Sequence, residues 1–264
     1  MKLYKDILAR YFTIASPYNS HYEVETNTFD FIDRNSNILL VTIGDSWTWG
    51  ADLTPNNRLK EVYGNLVSLS LGADWLNLAQ RGSNNFFIAE RAVELGKIIP
   101  QLNYKKIYLI CTFTETGRSF NSHHDNYIDY VSWFQKNNIT DFLAFLNKEC
   151  MNRISTVVNQ HNIILRTGTN FVDATGFTTD IDPWFRQLNI PCATTAYAGS
   201  TGVRRLCAAE QFIHDKESYK NWISNLIDQA RHVDQVCASK LLINAHPTAT
   251  GHKIWANSII ESLK

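Results

Sequence analysis

The chain has 264 residues, of which 44% are hydrophobic and 19% charged. This is the make-up of an ordinary soluble globular protein with material for one large core. Lysine plus arginine equals aspartate plus glutamate, 25 each, and that balance removes the electrostatic case for nucleic acid or an anionic membrane as main partner.

Five cysteines, Cys111, Cys150, Cys192, Cys207 and Cys237, are scattered singly. An odd set without a CxxC pair argues against a disulfide framework or zinc knuckle and favours a reducing compartment, with thiols acting as small buried hydrophobes. The opening Met1-Lys2-Leu3-Tyr4-Lys5-Asp6 carries charge where a signal peptide needs apolar residues. No apolar run approaches the roughly 20 residues of a membrane helix. A cytoplasmic protein is therefore expected, built as a single domain over residues 1–264 with an irregular lead-in over 1–35.

Asn37 to Ile43 is a short continuous apolar run ending at Gly44, as expected for a buried parallel strand feeding a turn. A helix follows over Leu59 to Leu71, with Val62, Leu66 and Leu69 at helical spacing. Asp74 to Ala79 reads as a second strand. Asn84 and Asn85 can cap a helix running to Pro100, with Ile88, Ala92 and Leu95 on one face. Lys106 to Thr112 reads as a third strand. Asp141 to Gln160 reads as a helix with Phe142, Phe145, Ile154, Val157 and Val158 inward, and Asn162 to Arg166 as a fourth strand. Glu217 to Cys237 has the strongest helical period of the chain, and Ala249 to Leu263 reads as a final helix. Strands alternating with helices imply an α/β fold, a mostly parallel sheet covered on both faces. Ligands in such folds bind beyond the carboxyl ends of the strands.

Four strand-end or loop segments carry chemistry-bearing residues. Gly44-Asp45-Ser46-Trp47-Thr48-Trp49-Gly50 puts a serine at a strand-to-helix turn, where backbone N–H groups converge. Taken alone, an ordinary helix cap is the commoner meaning of such a segment. Gly82 follows the second strand and can offer its N–H to an oxyanion, or simply form a turn. Thr114, Glu115 and Arg118 cluster after the third strand, where the bland reading is a polar loop. His246 precedes Pro247, which pushes it toward extended geometry in a loop ahead of the last helix, while His252 lies on that helix's first turn. His123-His124-Asp125 reads as a solvated loop, since adjacent residues rarely point at one ion.

Together these segments resemble the SGNH/GDSL hydrolase superfamily, in order and spacing, from about Asn37 to Lys264. Gly44-Asp45-Ser46 resembles the block that holds the nucleophile, and Ala245-His246-Pro247 with Gly251-His252 resembles the histidine block. The resemblance implies a flavodoxin-like three-layer α/β/α sandwich with Ser46 as nucleophile and His246 as general base. Gly82 and Thr114 would be oxyanion donors. It implies no metal and no cofactor. Two positions depart from the family pattern. Thr114 stands where an asparagine is usual, and Ile243 stands where an aspartate usually orients the histidine. Asn244 is the nearest polar neighbour for that orienting role, with a backbone carbonyl, Asp228 or Asp234 as alternatives. The implied substrates are short acyl esters, including O-acetyl groups on carbohydrate, with Trp47, Trp49 and Phe113 as a stacking wall or as core. The partner would be a small molecule or glycan ester, not nucleic acid or membrane. A catalytically degenerate module serving in glycan binding or as a structural partner, and acyl transfer to an acceptor other than water, are the other readings.

Overall fold

A computed structural model describes residues 6–8, 12, 29–51, 53–114, 139–170, 179–187, 217, 221, 242–243 and 246–264. The main sheet has five strands: β1 (Asp30–Ile32), β2 (Ile38–Ile43), β3 (Asp74–Asn77), β4 (Lys106–Phe113) and β5 (Ile164–Thr169). Their order is β1-β3-β2-β4-β5, with β1 antiparallel to β3 and every other pairing parallel. The helices are α1 (Ser46–Trp49), α2 (Pro55–Glu61), α3 (Tyr63–Leu71), α4 (Asn85–Ile98), α5 (Ile139–His161), α6 (Trp184–Gln187) and α7 (Ala249–Ser262). A two-stranded ladder, β6 (Leu242–Ile243) and β7 (His246–Pro247), precedes α7.

Strand alternation divides the interior into two cores. Leu39, Val41 and Ile43 of β2 join Ile107, Leu109 and Cys111 of β4 against Ile88, Ala92 and Leu95 of α4 and Ile154 of α5. The opposite face presents Leu40, Trp75, Tyr108 and Ile110 to Tyr63 of α3, Trp184 of α6 and Trp255 of α7. Helices thus cover both faces, giving three layers. The parallel strands run β3-β2-β4-β5, so the first of them, β2, has its two successors on opposite sides. That reversal opens a crevice at the carboxyl end of β2. Gly44 leaves the sheet there.

Several elements differ from their sequence expectation. The segment expected to be an irregular lead-in supplies β1, which closes one sheet edge. The helix expected over Leu59 to Leu71 is two helices, because Val62 is extended (φ −66°, ψ 140°) and serves as the N-cap of α3. Leu69 is consequently 56% exposed, and the buried face of α3 is Tyr63, Gly64, Asn65, Val67 and Ser68. Phe145, expected inside, is 61% exposed, while Ile154 and Val157 of the same helix are buried. The fourth parallel strand starts at Ile164, two residues late, since Asn162 adopts a left-handed turn (φ 52°) after α5. The helix expected over Glu217 to Cys237 lies outside the described residues except at positions 217 and 221.

Cys111 and Cys150 are unpaired and buried, and burial raises both thiols, Cys150 to about 11. Among the described residues no helix is long and apolar enough to cross a membrane.

Candidate active site

The turn that carries Ser46 is built from a close approach. A Cβ at Gly44 would stand 2.6 Å from Thr48 Cβ and 3.0 Å from the Thr112 carbonyl oxygen, so only glycine lets α1 fold back against the end of β4. Asp45 caps α1, its carboxylate accepting the Trp47 N–H at 2.9 Å. Ser46 is then the first residue of the helix, buried to 6% exposure. Its own N–H is among those with no intrahelical acceptor. The carbonyl of Trp49, at the other end of α1, accepts from Arg58 Nη1 at 2.9 Å. Arg58 also grips Asp30 of β1 with two hydrogen bonds of 2.6 and 2.9 Å.

His246 arrives from the far end of the chain. In the short ladder it pairs with Ile243, and Leu242 pairs with Pro247, so the backbone is extended as the following proline requires. Its Nε2 lies 3.0 Å from Ser46 Oγ across 200 residues of sequence. With the ring proton on Nδ1, Nε2 accepts the serine hydroxyl proton, which is the contact a general base needs. Thr248 then caps α7 by accepting the Gly251 N–H at 3.3 Å. Asn244 lies outside the described residues, as do Asp228, Asp234, Glu115, Arg118 and the His123-His124-Asp125 tract.

Neither a family model nor a curated protein matches this sequence. Solved structures do. A putative lipolytic protein of the G-D-S-L family from Desulfitobacterium hafniense is 12% identical, with a TM-score of 0.42 over 85% of this chain and 98% of that one. A lipolytic G-D-S-L family protein from Veillonella parvula is 11% identical, with a TM-score of 0.40 over 85% of this chain and 97% of that one. A carbohydrate esterase family 2 enzyme with a carbohydrate binding domain, from Corynascus thermopiles, is 12% identical, with a TM-score of 0.43 over 85% of this chain and 66% of that one. At those values the likeness stands as an observation, and the chemistry rests on Ser46 and His246.

Gly82 sits in a turn from Gln80 to Ser83 that is anchored to the end of β2, the Gln80 N–H donating to the Gly44 carbonyl at 3.2 Å. The glycine is exposed, has φ 74°, and has nothing within 4 Å of a would-be Cβ. Its left-handed backbone, rather than crowding, calls for glycine there. Thr114, just past β4, is buried, and its backbone is clamped on both sides by one side chain. The Thr114 N–H donates to Asn85 Oδ1 at 3.0 Å and its carbonyl accepts from Asn85 Nδ2 at 3.2 Å. An asparagine therefore does stand at this corner, but it comes from the start of α4 and its amide is engaged with backbone.

Asn170 is a second residue that pattern reading missed. It follows β5, is fully buried, and donates from Nδ2 to Asp45 Oδ1 at 2.8 Å. Arg91 is a third. It lies buried under the Gly82 turn, reaching Gln80 Oε1 at 3.4 Å and the Phe12 carbonyl at 3.5 Å. Burial pulls its pKa down to about 10, against the opposing pull of Glu94.

Of the two readings open for Trp47, Trp49 and Phe113, wall or core, the structure gives core for two. Trp47 and Phe113 are core, Trp47 meeting Trp184 edge-on at 5.2 Å. Only Trp49 is partly exposed, and its ring carries the guanidinium groups of Arg58 at 4.1 Å and Arg81 at 5.0 Å.

Proposed function

We propose that this protein is a serine hydrolase of short acyl esters. The observation that carries the reading is the 3.0 Å contact between Ser46 Oγ and His246 Nε2 at the crevice beyond β2. His246 removes the hydroxyl proton as Ser46 attacks the acyl carbonyl. The same imidazole hands the proton to the leaving alkoxide, releasing the alcohol. His246 then deprotonates a water that attacks the acyl-enzyme, and the acid departs from Ser46.

The N–H groups of Ser46 and Gly82 and the hydroxyl of Thr114 are the proposed oxyanion donors. Removing one such donor typically costs about 10²–10³ in rate. Asn244 is the proposed orienting residue for His246, accepting Nδ1–H. An amide there fixes the tautomer without neutralising the imidazolium. The chemistry asks for no metal or organic cofactor. Short esters, O-acetyl groups on carbohydrate among them, are the proposed substrates, supported by the resemblance of the GDSWTWG and HPTATGH segments to those of such esterases.

Hydrolysis of p-nitrophenyl acetate by the wild type, Ser46→Ala and His246→Ala tests the reading. Both substitutions are expected to lower kcat by at least about 10³-fold. Equal rates in wild type and Ser46→Ala would remove the enzymatic reading and leave the glycan-binding module. Product analysis with alcohol acceptors separates hydrolysis from acyl transfer.

A further inference from the structure

We propose that Tyr63 is a positioning residue for the reacting pair, because it bonds to the nucleophile helix, to the end of β4 and to the helix that follows the base. The inference rests on the reading of Ser46 as nucleophile and His246 as base.

Tyr63 is the first residue of α3 and is fully buried. Its hydroxyl lies 2.9 Å from Thr112 Oγ1 and donates to Thr48 Oγ1 at 3.4 Å. With Thr112 as donor, the three hydroxyls form one directed chain. Thr48 is two residues after Ser46 on α1, and Thr112 is two residues before Thr114. The other end of Tyr63 reaches the helix that follows the base. Its backbone N–H is a first-turn donor that Val62 leaves uncapped, and it donates instead to His252 Nδ1 at 3.3 Å. His252 is fully buried on the first turn of α7, six residues after His246, with its ring stacked on that of Tyr63 at 6.2 Å. Trp184 closes the cluster, edge-on to Tyr63 at 5.3 Å and to His252 at 5.0 Å.

Depth is set by the next residue. A Cβ at Gly64 would lie 2.6 Å from Trp75 Nε1, so glycine lets α3 ride directly on the sheet and carries Tyr63 to full depth. One residue thereby ties α1 and the end of β4, through its hydroxyl, to the first turn of α7, through its backbone N–H and ring. Loss of the hydroxyl frees α1 to shift relative to β4, and a misplacement of about 1 Å between reacting groups costs about 10²-fold in rate.

The experiment compares Tyr63→Phe with Tyr104→Phe in the full chain. Tyr104 donates an equivalent hydroxyl bond to Asp74 Oδ2 at 2.8 Å, at the opposite end of the strands. Turnover of p-nitrophenyl acetate, the rate of Ser46 labelling by a fluorophosphonate, and thermal midpoints are measured for each. Tyr63→Phe is expected to lower kcat and the labelling rate together by about ten-fold at unchanged KM, while Tyr104→Phe changes neither. Rates within two-fold of wild type in Tyr63→Phe overturn the proposal, whatever happens to the midpoint. Should Tyr63→Phe not fold, Thr48→Val removes the same bond from the other side and is read by the same two outcomes. If the wild type neither turns over nor labels, it is the Ser46 reading that has failed. Positioning is then judged from a crystal structure of the variant. An Oγ to Nε2 separation lengthened beyond 3.5 Å supports it, and one unchanged from 3.0 Å overturns it.

Discussion

The two ends of the parallel strands are built on opposite rules. At the amino end, Asp74 accepts the Arg34 N–H at 2.7 Å, the Ser36 N–H at 3.1 Å and the Tyr104 hydroxyl at 2.8 Å. Arg34 goes on to the Ala73 carbonyl at 3.0 Å and to Asn65. At the carboxyl end, Asn170 Oδ1, His252 Nε2 and Arg91 Nε are buried without a partner among the described residues. Such groups cost about 1–3 kcal/mol each when left unpaired. The satisfied end holds the sheet together, and the unsatisfied end is where a serine and a histidine meet.

The largest predicted effect comes from His252. Burial, with the charge of His246 second, lowers its pKa from 6.5 to about 3. Between those values the unfolded chain holds a proton that the folded chain lacks. Stability is therefore complete above pH 6.5 and falls as the pH drops toward 3, at about 1.4 kcal/mol per pH unit. Urea midpoints of wild type and His252→Gln between pH 7 and pH 5 isolate this part, because most carboxylates stay charged there. The wild type is expected to lose about 2 kcal/mol more than the variant over that span. Parallel curves would show that His252 is not held neutral by the fold.

Asn170→Ala comes next. Asp45 is fully buried and caps α1, the helix that begins at Ser46, so losing the 2.8 Å bond from Asn170 weakens a charge-assisted contact inside the protein. The expected cost is about 2 kcal/mol in denaturant unfolding. It comes with a drop in kcat, since the same carboxylate holds the Trp47 N–H one residue past Ser46. A variant that lost stability at full kcat would move Asn170 to the side of the amino-end scaffold.

The contrast also explains which parts were legible from sequence. Strands β2 and β4 were readable because a buried parallel strand is a continuous apolar run between turn residues. The meeting of Ser46 and His246 was readable because both lie in short motifs, one after a strand and one ahead of the last helix. The inward face of α3 was not. It buries Asn65 and Ser68, whose polar atoms are paired with Arg34 and with the Asn65 carbonyl, while Leu69 faces out. A count of apolar residues cannot see polar groups that are satisfied inside. Tyr63, Asn85 and Asn170 were missed for a related reason. Their decisive bonds span 189, 29 and 125 residues, respectively, and long-range pairing leaves no local period or spacing to detect.

The smallest effect is expected at the amino end and is the sharpest check on the comparison. Tyr104→Phe removes one of the three donors to Asp74, but Arg34 and Ser36 still hold Oδ1 of that carboxylate through backbone N–H groups. Asp74 is buried, but its carboxylate stays hydrogen-bonded through Oδ1, so the loss should be about 1.5 kcal/mol. The bonds of this hub among the described residues lie at the amino end, away from α1 and the β7–α7 segment, so kcat and KM for an acyl ester should both remain within two-fold of wild type. Unfolding by urea and steady-state kinetics on the same preparation decide the point. A fall in kcat at Tyr104→Phe would mean that strain travels the length of the strands, and that the two ends are one mechanical unit rather than a scaffold and a site.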